Sequence, residues 1–394
     1  MITNTELEYK GNLYPNHIVE FSQDSDKIYF TTDNGVVLQI TILRGSIIRF
    51  RYATNYNFEP DFSYGIDPDA TMGYSKLEVV ENDTEYIIST ARLNILVDKK
   101  TLRTQISDLE GTIINEDELG FHWEENYEYG GNTVKLSKIT QSGESFYGMG
   151  DKAMHSNLKG KRVENWVTDQ FAFAKEQDPL YKAIPFYIGL NKGKAYGIYF
   201  DNSFRTGFDF SQERRNITNF WADGGEMNYY FIFGPDMSKV VSSYSSLTGT
   251  PELPPMWALG FHQSKWSYYP ESNVKEIASD FRKHRIPCDA IYLDIDYMDG
   301  FRCFTWDKNH FPDPKRMISE LEEDGFKTVV MIDPGIKVDR DYWIYNEALE
   351  NDYFCKRGDG PLMHGKVWPG ECNFPDFTNP AVREWWAELY KEFM

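Results

Sequence analysis

The sequence predicts a β-sandwich followed by the first part of an eight-stranded β/α (TIM) barrel, in a multidomain chain whose barrel is incomplete. Three observations carry this reading. Residues 1 to about 235 consist of β-rich runs separated by turn residues at short intervals, with no amphipathic helix. From about residue 237 the pattern changes to apolar strands alternating with amphipathic helices, as in a parallel sheet covered by helices. Acidic residues stand where those strands end, which is where a barrel of this kind builds its site.

In the first part, KIYFTTDNGVVLQITIL (27–43) places two β-rich runs around Asp33-Asn34-Gly35, a strong hairpin signal. EYIISTARLNILVDKK (85–100) and KAYGIYFDNSFRTGFDF (194–210) continue the alternation. DMSKVVSSYSSLTG then sets Val240, Val241, Tyr244 and Leu247 on one helical face and stops at Gly249. The proline-rich joint TPELPPMWALG (250–260) follows, so 1–249 is read as the sandwich and 250–394 as about three of eight barrel strands.

Beyond the joint, MWALGFHQ (256–263) is expected as the first strand. SNVKEIASDFRK (272–283) follows as a helix, with Val274, Ile277, Ala278 and Phe281 at helical spacing. AIYLDIDYMDG (290–300) is the second strand, and KTVVMIDPG (327–335) the third. Between those two, Asp313 caps a helix with Pro314 in its first turn and Gly325 past its end. A last helix begins near Asn379-Pro380, with Val382, Trp385, Trp386, Leu389 and Phe393 inside. Three strands leave a parallel sheet with an apolar edge, so the chain reads as the front part of a larger protein.

Aromatic residues make up 16% of the 394 residues and the net charge is −20. That composition excludes a disordered chain, and the missing basic excess argues against nucleic acid or an anionic membrane as partner. No apolar run is long enough to span a membrane. MITNTELEYK lacks the basic start and apolar core of a signal peptide, so localisation stays open. Cys288, Cys303, Cys355 and Cys372 show no CxxC spacing and are read as free thiols, with neither a zinc site nor a cofactor expected.

A carboxylate placed in an apolar strand is costly unless paired or hydrogen-bonded, so its presence marks a site. Asp294 is such a residue, and strand alternation would put Asp296 on the same face. His262 and Trp266 follow the first strand, Asp333-Pro334 ends the third, and Trp368 sits in a Pro-Gly turn. Aromatic walls over carboxylates suit a polyhydroxylated ligand. Taken alone, His262 is a satisfied core histidine, and Asp296 and Asp299 are as well explained by loop capping or pairing with Arg302 as by ligand contact. The acids follow no EF-hand pattern, and no His or Cys cluster supports a metal.

GFHQSKWSY (260–268), YLDIDYMDGFRCFTWDKNHFPDP (292–314), VVMIDPGIK (329–337) and GKVWPGECNFPDFTNP (365–380) resemble successive signatures of glycoside hydrolase family 31, the α-glucosidase family. FYGMGDK (146–152), NWVTDQFAF (165–173), PLYKAIPFYIGL (179–190) and YGIYFDN (196–202) resemble its N-terminal sandwich and active-site loop, near 165–180 here. The resemblance implies retaining hydrolysis of terminal α-linked glucose without a metal. It implies that Asp294 holds the 4- and 6-hydroxyls of the sugar in subsite −1. By the same resemblance Trp266 and Trp368 wall that subsite, Met331 or Ile332 lines it, and Asp169 closes it from the sandwich loop.

Within the family, DIDYMD with KVWPG is more similar to the α-glucosidase branch than to the α-xylosidase branch. The family's nucleophile lies in a DMNE-like segment ending the fourth strand, with the acid/base later still. This chain has neither, so no catalytic residue is assigned and both are expected beyond Met394. The expected substrate is an α-glucoside or a malto- or isomalto-oligosaccharide, with the rest of the barrel supplied in cis or by a second chain. The alternatives are α-xylosidase or transglucosidase activity, or a non-catalytic carbohydrate-binding protein.

Overall fold

The computed structural model describes residues 11–70, 77–126 and 131–393; the N-terminal stretch MITNTELEYK and Met394 lie outside the described residues. The chain divides into two compact units, Met1–Pro251 and Glu252–Met394.

The first unit is built of two large antiparallel sheets. One runs, in spatial order, through Ile18–Asp24, Lys27–Thr32, Val37–Arg44, Ile47–Ala53, Met227–Gly234, Lys194–Phe200, Ala183–Asn191 and Ser145–Gly150. The other runs through Arg162–Asn165, Thr206–Phe210, Ile217–Ala222, Asn132–Ile139, Ile113–Glu125, Thr104–Asp108, Leu93–Asp98, Glu85–Ser89 and Glu78–Glu81. The hairpin expected around Asp33-Asn34-Gly35 joins two of these strands, and Gly35 adopts a φ of 83° that a side chain would resist. Strict alternation explains the packing: Ile28, Phe30 and Thr32 are buried while their neighbours are half-exposed. The inward faces share one aromatic-rich core, and Tyr52 of one sheet stacks on Phe121 of the other at 4.6 Å. The helix Met237–Thr248, capped by Asp236, packs Val240 and Leu247 onto Phe186 and Tyr199.

One ion pair sits inside this core. Lys138 Nζ lies 2.7 Å from Asp117 Oδ1, with both side chains almost wholly enclosed. Asp117 Oδ2 also accepts from the Thr104 backbone N–H and hydroxyl at 2.7 and 2.9 Å. Removing one partner of such a pair costs ~3–5 kcal/mol, because the other charge is left stranded.

The second unit carries a parallel sheet of three short strands, His262–Gln263, Ala290–Leu293 and Lys327–Val330, with the middle strand central. The helices Glu271–Lys283 and Pro314–Glu323 bury Val274, Ala278, Phe281, Met317 and Leu321 in one cluster with Ile291 and Leu293. Asp313 caps the second of these helices, accepting from Arg316 N–H at 3.0 Å, and Pro314 opens it. The helix Pro380–Phe393 joins a second cluster around Ile336, Tyr342, Ile344 and Tyr345.

Four details differ from the expectation. The stretch 256–263 is mostly not a strand: Pro255 leads into a 3-10 turn over Met256–Leu259, and only His262–Gln263 pair. The second strand ends at Leu293 and turns at once into the 3-10 segment Ile295–Tyr297, so Asp294 and Asp296 are not related by strand alternation. The third strand ends at Val330, and Asp333 takes a left-handed φ of 50° ahead of Pro334. The helix Trp343–Glu350 was not anticipated; its turn-rich flanks and short apolar stripe gave no clear period.

His122, on the strand Ile113–Glu125, is enclosed, and burial lowers its pKa from 6.5 to about 4. It is therefore neutral in the fold and protonated in the unfolded chain below pH 6.5. Its contribution to stability is present above that pH and is lost as pH falls from 6.5 towards 4. Urea unfolding of the chain and of His122→Gln across that window should show the loss flattened in the variant; parallel curves would contradict the assignment.

Candidate functional site

The side chains gathered in the second unit come from the segments that follow each parallel strand. Trp266 lies after the first strand with an exposed ring, held by an indole N–H that donates to Asp296 Oδ2 at 2.8 Å. The Ser267 hydroxyl donates to the same oxygen at 2.6 Å. Asp296 thereby anchors the Trp266 segment through Oδ2.

Trp368 reaches the same place from far along the sequence. It sits in the turn between the strands His364–Val367 and Gly370–Asn373, and Gly370 has a φ of 99°. This hairpin pairs with Ile336–Lys337, just beyond the third parallel strand. A Cβ on Gly335 would meet Val367 at 2.5 Å, so the glycine lets the hairpin approach that closely. The Trp266 and Trp368 rings meet with centroids 5.4 Å apart and planes inclined at 51°, forming an exposed aromatic corner.

Asp294 is the first residue beyond the second strand and is half-buried. Its Oδ1 accepts from Ile295 N–H at 2.8 Å; its other oxygen has no hydrogen-bond partner among the described residues. Asp333 faces it electrostatically: burial raises the Asp333 pKa, and the Asp294 charge raises it further. The DP dipeptide placed Asp333 at a strand end, but nothing in the sequence said that its carboxyl would oppose that of Asp294. Of the two apolar candidates, the Met331 side chain is 45% exposed and Ile332 only 8%, so Met331 is the one presented outward.

The remaining acids and His262 are engaged elsewhere. His262 Nδ1 meets the Tyr292 hydroxyl and Nε2 the Trp257 carbonyl, both at 3.1 Å. Asp299 is exposed and lies 3.6 Å from Arg302, which also binds Asp339. Asp169 belongs to the first unit, exposed on the loop after Arg162–Asn165, where its carboxylate interacts with the Tyr181 hydroxyl. That loop is pinned by Asp178, whose Oδ1 accepts from Lys152 Nζ at 2.6 Å and whose Oδ2 accepts from Glu164 N–H at 2.5 Å. No group of three or more His, Cys, Asp or Glu is arranged for a metal among the described residues, and all four cysteines are free.

A β-sandwich in one unit and parallel β/α strands in the next define a chain of the sandwich-and-barrel class. Residues 251–394 match the glycosyl hydrolases family 31 TIM-barrel domain, and residues 37–209 the glycosyl hydrolase 31 N-terminal galactose mutarotase-like domain. The chain belongs to glycoside hydrolase family 31. It is 38% identical over 373 residues to alpha-glucosidase 2 of Bacillus thermoamyloliquefaciens, covering 94% of this chain and 46% of that protein. It is 37% identical over 264 residues to an alpha-glucosidase of Saccharolobus solfataricus, covering 67% of this chain and 38% of that protein. Among solved structures, the Flavobacterium johnsoniae GH31 dextranase complexed with isomaltotriose superposes with a TM-score of 0.89 at 32% identity, covering 97% of this chain and 46% of that one. The chain thus spans less than half the length of these relatives.

Anchoring by Asp296 predicts a local effect. In Asp296→Ala the indole N–H of Trp266 should lose its acceptor, and the ring-to-ring NOE between Trp266 and Trp368 should weaken; Asp296→Asn, which keeps a carbonyl acceptor, should largely preserve it. An unaltered NOE in Asp296→Ala would show that the corner is held by other contacts.

Proposed function

We propose that the whole protein containing these residues is a retaining, exo-acting α-glucosidase that removes terminal non-reducing α-linked glucose. The observation that carries this reading is the half-buried Asp294 with one unpartnered oxygen, in the unit that also forms the Trp266–Trp368 corner. In this reading the open carboxylate accepts from the 4- and 6-hydroxyls of the glucose in subsite −1, a charge-assisted contact worth more than a neutral one. Trp266 and Trp368 take the apolar sugar face, and Met331 lines the pocket in preference to Ile332. A 6-hydroxyl grip has no purpose on xylose, which lacks that group.

The relatives support the substrate class: two are named as alpha-glucosidases, and a third is a dextranase complexed with isomaltotriose. The proposed substrates are therefore α-glucosides and malto- or isomalto-oligosaccharides.

Retaining hydrolysis needs a nucleophile and an acid/base with carboxyls ~5–5.5 Å apart across the scissile bond. Asp296 is committed to Trp266 and Ser267, and Asp299 faces Arg302, so neither is offered for that pair. We assign both catalytic groups to later barrel strands, present in cis or supplied by a second chain. Residues 1–394 then contribute substrate binding and orientation while the chemistry is done elsewhere.

Two measurements test this. Purified 1–394, verified intact by mass, should not hydrolyse p-nitrophenyl α-glucoside. In the whole protein, Asp294→Ala should lower kcat/KM for glucosides by ~100-fold or more while leaving thermal unfolding unchanged. Activity of the isolated chain would refute the division of labour, and an Asp294→Ala loss of only a few-fold would remove the sugar-gripping role.

A further inference from the structure

The outward face of the nine-stranded sheet carries a recess that the reading above does not use. It has a volume of about 480 Å³, within the range of small-molecule sites, and it lies wholly in the first unit. Strand register builds it. His122, Lys135, Trp221 and Gly207 stand opposite one another on four neighbouring strands. Ser137, Asn219, Asp209 and Arg162 form the next row on that face. Gly207 is required here, since a Cβ would lie 2.0 Å from Cζ2 of the Trp221 ring. The Arg162 guanidinium carbon lies 4.6 Å from the centroid of that ring.

Polar side chains on an outward sheet face are normally well solvated. Here His122 is only 6% exposed and Asp209 only 1%, so this part of the face is a depression with polar groups set into it. The protonation of His122 is fixed by its neighbours. Nδ1 is 3.0 Å from the Gly120 carbonyl, which can only accept, so Nδ1 carries the proton. Nε2 is then a lone-pair acceptor, and it has no partner among the described residues; neither does the side-chain amide of Asn219. An acceptor left open on a side chain that is otherwise buried is the kind of group a ligand satisfies.

Charge decides which ligand. Each basic residue of the recess already faces an acid: Lys135 faces Glu124 at 2.8 Å, Arg162 faces Glu213, and Arg214 faces Glu118 at 2.6 Å. Asp209 and Asp223 add further negative charge, so an anion gains nothing by entering. A cation would need converging ligands, and no such group is present among the described residues. Asp209 is already held by the backbone N–H groups of Gln212 and Glu213, at 2.9 and 3.2 Å. We propose that this recess is a second carbohydrate site, separate from the strand-end residues, which takes a neutral monosaccharide or short oligosaccharide whose hydroxyls donate to His122 Nε2 and accept from the Asn219 amide.

The test uses the 394-residue chain. Glucose, galactose and glucose 6-phosphate are titrated through the millimolar range, with the indole N–H resonances of Trp221, Trp266 and Trp368 followed by NMR. The expected result is a saturable shift at Trp221 with a neutral sugar and weaker binding of the phosphorylated one. His122→Ala and Asn219→Ala should each weaken that binding about tenfold. Asn219→Ala removes no side-chain hydrogen bond among the described residues, so it reports on binding even if His122→Ala disturbs folding. Shifts confined to Trp266 and Trp368, no saturable shift at all, or tighter binding of glucose 6-phosphate would each overturn the proposal.

Discussion

Backbone pairing of Ala290–Leu293 with His262–Gln263 on one side and Lys327–Val330 on the other is the constraint from which the site in the second unit follows. Parallel strands held in register must all leave the sheet at the same end. The residues that follow, Trp266, Asp294 and Met331, therefore emerge together although dozens of positions separate them. The hydrogen bond from Met331 N–H to the Leu293 carbonyl, 3.0 Å, carries the pairing one step past the assigned strand and fixes the level at which the two chains part. Ile291 and Leu293 fill the middle strand, packed in one cluster with residues of the two helices.

The loops are then tied to one another rather than left to wander. Asp296 takes two hydrogen bonds from the Trp266 segment, and the Tyr297 hydroxyl donates to the Met331 carbonyl at 2.8 Å. The loop after the second strand thus braces those after the first and third. The hairpin bearing Trp368 is fastened by backbone pairing to Ile336–Lys337. Exposed aromatic rings on loops would ordinarily sample many rotamers. Holding them by backbone and carboxylate contacts reduces the ordering that a ligand must impose. Asp294 keeps one oxygen that no described residue claims.

Much of this was legible in the residues. The change of grammar near 237, the Asp313-Pro314 helix start and the Asp33-Asn34-Gly35 hairpin rest on local rules, and local rules act through neighbours in sequence. Over 256–263 and 290–300 the pairing strands are shorter than the sequence predicts, because apolar composition alone does not distinguish a pairing strand from a 3-10 turn. Asp296 was placed beside Asp294 by alternation, yet the turn after Leu293 gave the two acids different tasks. The opposition of Asp333 and Asp294 depends on a contact 39 positions apart in sequence, and no local signal encodes it.

The sequence by itself determined the class of each half and the residues that stand where apolar strands give way to acids and aromatics. Periodicity, caps and glycine turns follow from short-range sterics and from which side chains avoid water. Only the tertiary structure decided which of those residues meet: that Trp266 finds Trp368, that Asp296 is occupied and Asp294 open, and that His122 sinks into a recess of an otherwise solvated face. Those outcomes depend on strand register, hairpin docking and burial. These are properties of segments brought together across the chain, and a linear pattern does not contain them.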